Sequence, residues 1–127
     1  MIGYVTIGTN DCKRSVAFYD AALAPLGYAK TFEDGGWAGY GPDGKKEGFE
    51  IYIATPINSE PASYGNGSML SFKATSRAAV EAFHAAGVGA GGKDEGAPGV
   101  RGDFNPPFYG AYVRDPEGNK LCAYFRG

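Results

Sequence analysis

Histidine, tryptophan and cysteine are scarce in this chain, with one His, one Trp and two Cys among 127 residues. A single imidazole excludes any metal centre built on two histidines. Cys12 and Cys122 have no CxxC spacing, so they form neither a disulfide framework nor a zinc knuckle, and a reducing compartment fits them best. An excess of one charge is also missing. Twelve Lys and Arg stand against 14 Asp and Glu, a net charge of -2 that offers no footprint for nucleic acid or an anionic membrane surface. No apolar run reaches the roughly 18 residues of a membrane-spanning helix, and Met1 to Asp11 has neither a basic n-region nor a long apolar stretch. The expectation is a soluble, cytoplasmic protein with no nucleic-acid or membrane partner.

What the chain has in abundance is glycine, 21 of 127 residues, more than double the usual share of about 7%. Seven of these glycines fall between Gly87 and Gly102. That stretch has no apolar periodicity, so it reads as a helix stop followed by a loop, a candidate pocket lid. With 43% hydrophobic and 20% charged residues, the whole chain has the composition of one globular domain, 1–127.

Periodicity sketches the elements. Tyr4 to Thr9 alternates as a strand, with Val5 and Ile7 on one face. Asn10 or Asp11 can cap a helix from about Cys12 to Ala24, striped by Val16, Tyr19 and Leu23. Strands over Tyr28–Glu33, Gly36–Tyr40 and Gly48–Ala54 follow, parted by Asp34-Gly35 and Pro42-Asp43-Gly44 turn signals. A second round begins at Ser68–Ala74, continues with Ser76 capping a helix that carries Val80 and Phe83, and ends in a hairpin, Phe108–Arg114 and Lys120–Phe125, around Asp115–Asn119. Laying Tyr4 on Met69 puts Val5 on Leu70 and Ile7 on Phe72. After a one-residue gap, Val16 falls on Val80 and Tyr19 on Phe83, a weak internal repeat with halves at about 1–58 and 66–127.

These segments, with Ser15-Val16-Ala17-Phe18-Tyr19, the following Ala-Pro-Leu-Gly-Tyr, Gly67-Ser68-Met69-Leu70, Ser76 to His84 and Tyr109 to Asn119, resemble the glyoxalase/bleomycin-resistance/dioxygenase superfamily, the vicinal oxygen chelate proteins. The resemblance covers nearly the whole chain. It implies an α+β fold of two βαβββ modules whose curved sheets form a partly closed, mixed-sheet barrel around a pocket. It also implies a homodimer, with pocket walls drawn from both subunits. Metal-dependent members of the superfamily take ligands from a His on the first strand, a His opening the second module and a Glu on the last strand. The matching positions here are Tyr4, Met69 and Cys122, with Tyr52 or Glu50 at a fourth. A protonated phenol and a soft thioether make a poor site for Mg²⁺, Mn²⁺ or Fe²⁺, so no metal or other cofactor is expected.

Alternation divides the strands into two faces. Val5, Ile7, Ile51, Ile53, Leu70, Phe72, Leu121 and Ala123 are assigned to the helices. The pocket side receives Tyr4, Thr6, Glu50, Tyr52, Met69, Ser71, Lys73, Cys122 and Tyr124, joined by Tyr112 and Arg114. In the proteins the chain resembles, the segment before the last hairpin borders the pocket mouth, which implies Phe104, Asn105 and Phe108 as ligand contacts there. The tyrosines either fill the barrel or stack a ligand. Glu50 is either ion-paired with Lys73 or Arg114 or is a general base, and Cys122 is either an inert thiol or a nucleophile. Trp37 covers the pocket or a subunit contact. His84, on the second helix, reads as structural. The ligand set expected is Tyr4, Glu50, Tyr52, Met69, Phe104, Tyr112, Arg114 and Cys122, holding a small organic molecule. An enzyme of lyase or dioxygenase type, metal-free or with unusual ligands such as Glu50 and Cys122, is the alternative, and a filled barrel with a structural or regulatory role is a third.

Overall fold

A computed structural model describes residues 1–127 as two four-stranded sheets and two helices. The first module runs β1 (Tyr4–Gly8), α1 (Cys12–Leu23), a 3-10 turn (Ala24–Leu26), β2 (Tyr28–Asp34), β3 (Trp37–Pro42) and β4 (Glu50–Ala54). The second runs β5 (Met69–Lys73), α2 (Arg77–Gly89), β6 (Lys93–Arg101), β7 (Phe108–Arg114) and β8 (Lys120–Arg126). The strand orders are β1-β4-β3-β2 and β5-β8-β7-β6, with β1 parallel to β4, β5 parallel to β8 and the other pairs antiparallel. In each module a helix therefore links two parallel strands that end up on opposite edges of the sheet. This is the expected α+β pair of βαβββ modules, and the sheets stay open.

The helices begin where the repeat places them. Asp11 accepts a bond from the Arg14 backbone N–H and Ser76 one from that of Ala79, each filling an orphan donor of the first turn. Both caps lie seven residues beyond the first strand residue, Tyr4 or Met69. The buried residues Val16 and Tyr19 nonetheless match Val80 and Phe83 one position earlier. Strand alternation also behaves as read: Ile51, Ile53, Phe72, Leu121 and Ala123 are buried against the helices. The last hairpin sets Tyr112 opposite Cys122 and Arg114 opposite Lys120.

The glycine-rich segment is a correction. After α2 stops with the Gly92 N–H on the Gly87 carbonyl, residues 93–101 form the edge strand β6 along β7 instead of a loop or lid. Ladder bonds come from the backbone, so a strand with few packed side chains leaves no periodicity to read. Register shifts at Asp94/Gly96 and Gly96/Gly99 break the alternation further.

A single cluster of 18 buried residues joins both modules, including Phe18, Tyr19, Ile51 and Ile53 from the first and Val80, Phe83, Val113 and Leu121 from the second. Phe18 reaches across to the second module: its ring comes within 3.3 and 2.5 Å of where a Cβ at Gly87 or Gly92 would sit. Tyr19 donates its hydroxyl to Asp115 in the β7–β8 turn at 2.5 Å. A few residues on, Glu117 accepts from the Asn10 backbone and side chain, from Thr9 and from Arg14. The segment between the modules is fastened by Asn10, whose amide exchanges bonds with the Ala62 backbone at 3.1 and 2.7 Å.

Glu117 is expected to make stability pH-dependent. Burial works to raise its pKa, but the bonds from Asn10, Thr9 and Arg14 outweigh burial and hold it below the ordinary 4.5. A carboxylate with a depressed folded pKa contributes stability that is complete above the unfolded pKa and is lost as pH falls through the folded one. Thermal unfolding followed from pH 6 downward is expected to show the melting temperature dropping below about pH 4.5, the region where a free Glu protonates. In Glu117→Gln that fall is expected to shrink; an identical pH profile in the variant would count against the assignment.

Candidate functional site

On the first sheet, the face away from the helices carries a group of rings. Tyr4 and Tyr52 meet edge to face with centroids 5.0 Å apart, Phe32 lies 6.1 Å from Tyr52, and the Lys46 ammonium sits 5.3 Å above Phe32. Parallel pairing of β1 with β4 sets Tyr4 beside Glu50 and Thr6 beside Tyr52. With Trp37 from β3, Tyr4, Thr6 and Tyr52 line an open cleft of about 240 Å³. Trp37 thus belongs to this cleft. The Tyr52 hydroxyl donates to Glu50 at 3.1 Å, so Glu50 is held by its neighbour two residues along the strand, and neither Lys73 nor Arg114 pairs with it. Burial, and after it Glu50, pushes the Tyr52 phenol up, which keeps it a donor.

The corresponding face of the second sheet brings Tyr112 and Cys122 together as the hairpin register requires. Burial raises the Cys122 thiol against the opposing influence of the Ser71 and Tyr112 hydroxyls and the cations of Lys120 and Arg101. The Tyr112 phenol is raised by burial and by Cys122. A thiol so held is protonated at neutral pH, which is the inert of the two roles open to Cys122. Iodoacetamide labelling read by peptide mass spectrometry is expected to modify Cys122 about a hundredfold more slowly in the folded than in the unfolded chain; rapid labelling would mark an activated thiolate.

Other expected residues lie apart from these two groups. Arg114 is committed to structure: its guanidinium binds Glu95 at 3.0 Å and the Gly118 carbonyl at 2.9 Å, under the Tyr64 ring. Phe104 is 58% exposed, with the Arg126 guanidinium 5.9 Å away, while Phe108 stacks flat on Tyr124 at 5.1 Å. Met69 is in a cleft of about 350 Å³ along the seam of the modules, with Val5, Ile7, Leu70 and Lys120 among its walls. None of the clefts described joins the Tyr4–Glu50–Tyr52 group to the Tyr112–Cys122 group. His84 binds Asp94 at 2.9 Å on the helix side, a structural contact. Sequence reasoning missed Arg101 and Lys120, whose charges lie 5.6 and 5.4 Å from the Tyr112 ring. Lys120 was legible as a face residue through its pairing with Arg114; Arg101 was hidden in the presumed loop.

The donor set does not fit a divalent metal. No three His, Cys, Asp or Glu side chains come together as a metal-holding group, and Tyr4, Met69 and Cys122 supply a phenol, a thioether and a protonated thiol.

Two βαβββ modules around one shared core, each with an open, ring-lined sheet face, define a paired-module α+β protein. The chain belongs to the Glyoxalase/Bleomycin resistance protein/Dioxygenase superfamily, whose family model matches residues 1–123. It is similar to a glyoxalase/bleomycin resistance protein from Albidiferax ferrireducens T118, at 42% identity over 99% of both chains with a TM-score of 0.89. A glyoxalase-related enzyme from Fulvimarina pelagi shares the fold at 20% identity, over 98% of this chain and 87% of that one, TM-score 0.76. So does a glyoxalase/bleomycin resistance protein/dioxygenase family enzyme from Burkholderia phytofirmans PsJN, at 19% identity over 98% of both chains, TM-score 0.71. No curated protein matches. No helix is long and apolar enough to cross a membrane.

Proposed function

We propose that this chain binds a small organic molecule on its open sheet faces and does so without a catalytic metal. One observation carries the reading: the Tyr4, Trp37 and Tyr52 cleft is open and ring-lined, and Glu50 beside Tyr4 is held by the Tyr52 hydroxyl. Rings arranged around an accessible cleft supply stacking area at low conformational cost, and one fixed carboxylate gives orientation. The Cys122 thiol, held neutral by burial, favours binding over a metal-free reaction that uses it as nucleophile. The protein is read as cytoplasmic and homodimeric, a second copy covering exposed apolar side chains such as Met69 and Phe104.

The test is a thermal-shift screen of small organic molecules, with elemental analysis of protein purified without chelator. Saturable stabilisation that weakens in Glu50→Gln, with no stoichiometric metal, is the expected result. Near-stoichiometric nickel, zinc, manganese or iron, lost in Tyr4→Phe with Cys122→Ser, would overturn it and point to a lyase or dioxygenase. Sedimentation velocity tests the dimer, and a monomer at all concentrations would remove it.

A further inference from the structure

The register of β5–β8 places six cations on the face of the second sheet opposite its buried core residues. They are Lys73 on β5, Lys93 and Arg101 on β6, Arg114 on β7, and Lys120 and Arg126 on β8. Among the strand residues that meet them, the one carboxylate is Glu95, already held by Arg114. No ion pair includes Lys73, Arg101, Lys120 or Arg126. In a chain of net charge -2, this concentration on one sheet face is a local feature.

Within it, Arg101 and Lys120 flank one ring, Arg101 level with Phe108 and Lys120 level with Arg114 on either side of Tyr112 along β7. Their charged ends lie 5.6 and 5.4 Å from the centre of Tyr112. The glycines of β6 make room for this: a Cβ at Gly96 would come within 2.9 Å of the Tyr112 ring and 3.3 Å of the Arg101 guanidinium, and one at Gly99 within 2.9 Å of that guanidinium. Arg101 therefore lies along its own strand, where the Ala97 carbonyl accepts from one guanidinium nitrogen at 2.5 Å. Its other N–H groups stay free to donate. Tyr112 and its cross-strand partner Cys122 are both held in their neutral forms by burial, so neither answers the two cations with a charge. Beside them Phe108 and Tyr124 are stacked with planes 9° apart, showing that flat groups pack on this face.

We propose that this face is an anion site, taking the carboxylate of a small planar organic acid between Arg101 and Lys120 with its ring against the neighbouring aromatics. Two cationic donors beside the same ring, with aromatic neighbours at hand, suit one such molecule. A long polyanion would meet a chain of negative net charge beyond this sheet. The inference rests on the reading that this chain binds small organic molecules on its sheet faces, and adds a site on the second sheet with the chemical class that site takes.

The experiment is an NMR titration of the ¹⁵N-labelled full chain with benzoate, benzamide and inorganic phosphate in parallel. Benzoate is expected to shift the amides of Arg101, Tyr112 and Lys120 saturably, and to bind less well as salt rises. Benzamide and phosphate are each expected to bind about tenfold more weakly, as is benzoate to the double variant Arg101→Gln, Lys120→Gln, the cost of a lost charged partner. Thermal melting of the variant, with both positions half-buried, checks that it is folded. Equal binding of benzamide would overturn the role of charge, and equal binding of phosphate that of the planar part. Benzoate shifts elsewhere, or unchanged in the double variant, would overturn the site. Loss of the benzoate response while neutral molecules still bind at Tyr4 and Trp37 sinks this inference alone; no saturable response to any small molecule sinks the ligand-binding reading with it.

Discussion

Asp115→Ala is expected to lower stability by about 3 kcal/mol, the cost of leaving several buried or half-buried donors without their acceptor. The side chain is buried and accepts four bonds: from the Tyr19 hydroxyl, from the backbone N–H groups of Glu117 and Asn119, and from the Asn119 side chain. Tyr19 is fully buried, so its hydroxyl has no water to turn to once the carboxylate is gone. The same carboxylate shapes the turn that carries Glu117, so its loss also loosens the bonds to Thr9, Asn10 and Arg14. Chemical denaturation should show the lower midpoint, and thermal melting a drop of about 10 °C for a domain of this size. Tyr19→Phe separates the contributions, since it removes one donor and leaves the turn's backbone bonds intact; a loss as large as that of Asp115→Ala would mean the turn bonds contribute nothing.

Phe18→Ala is expected to cost about 4 kcal/mol, in the range for emptying a buried aromatic site. Its ring is fully buried, meets Tyr19 edge to face at 4.9 Å, and fills the space beside Gly87, Gly92 and Val113. Collapse into that space is limited because one wall is backbone: a Cβ at Gly92 would meet the Gly87 carbonyl at 2.7 Å and that of Arg114 at 2.8 Å. Denaturant unfolding of the variant measures the loss, and a cost under about 1 kcal/mol would show that the surroundings close over the gap. Phe18→Leu is expected to recover much of it, since it restores most of the volume.

The strands of the first module and the final hairpin were legible because each has one apolar face, and a register fixed by that face carries every second residue with it. The caps Asp11 and Ser76 were legible for a local reason, a short polar side chain ahead of an apolar stripe. β6 was not, since its pairing is made by backbone and its glycines serve neighbours, Tyr112 and Arg101, whose sequence positions say nothing of their approach. Among site residues, the adjacency of Tyr4 to Glu50 and of Tyr112 to Cys122 followed from pairing rules. The separation of the first pair from the second did not, because it depends on how the modules pack, and alternation within a strand is silent on that. Arg114 illustrates the same limit. Its face was correct, yet its guanidinium is taken by Glu95 and Gly118, partners brought in by a bulge and a turn.

The shared core has a consequence for cooperativity. Phe18 and Tyr19 belong to the first module, yet their surroundings include Gly87, Gly92 and Asp115 of the second. Neither half is then expected to fold on its own, despite the internal duplication that makes each look self-contained. The intact chain is expected to unfold in one transition, its calorimetric and van't Hoff enthalpies equal. A polypeptide of residues 1–58 alone, its core faces bare to water, is expected to remain unstructured.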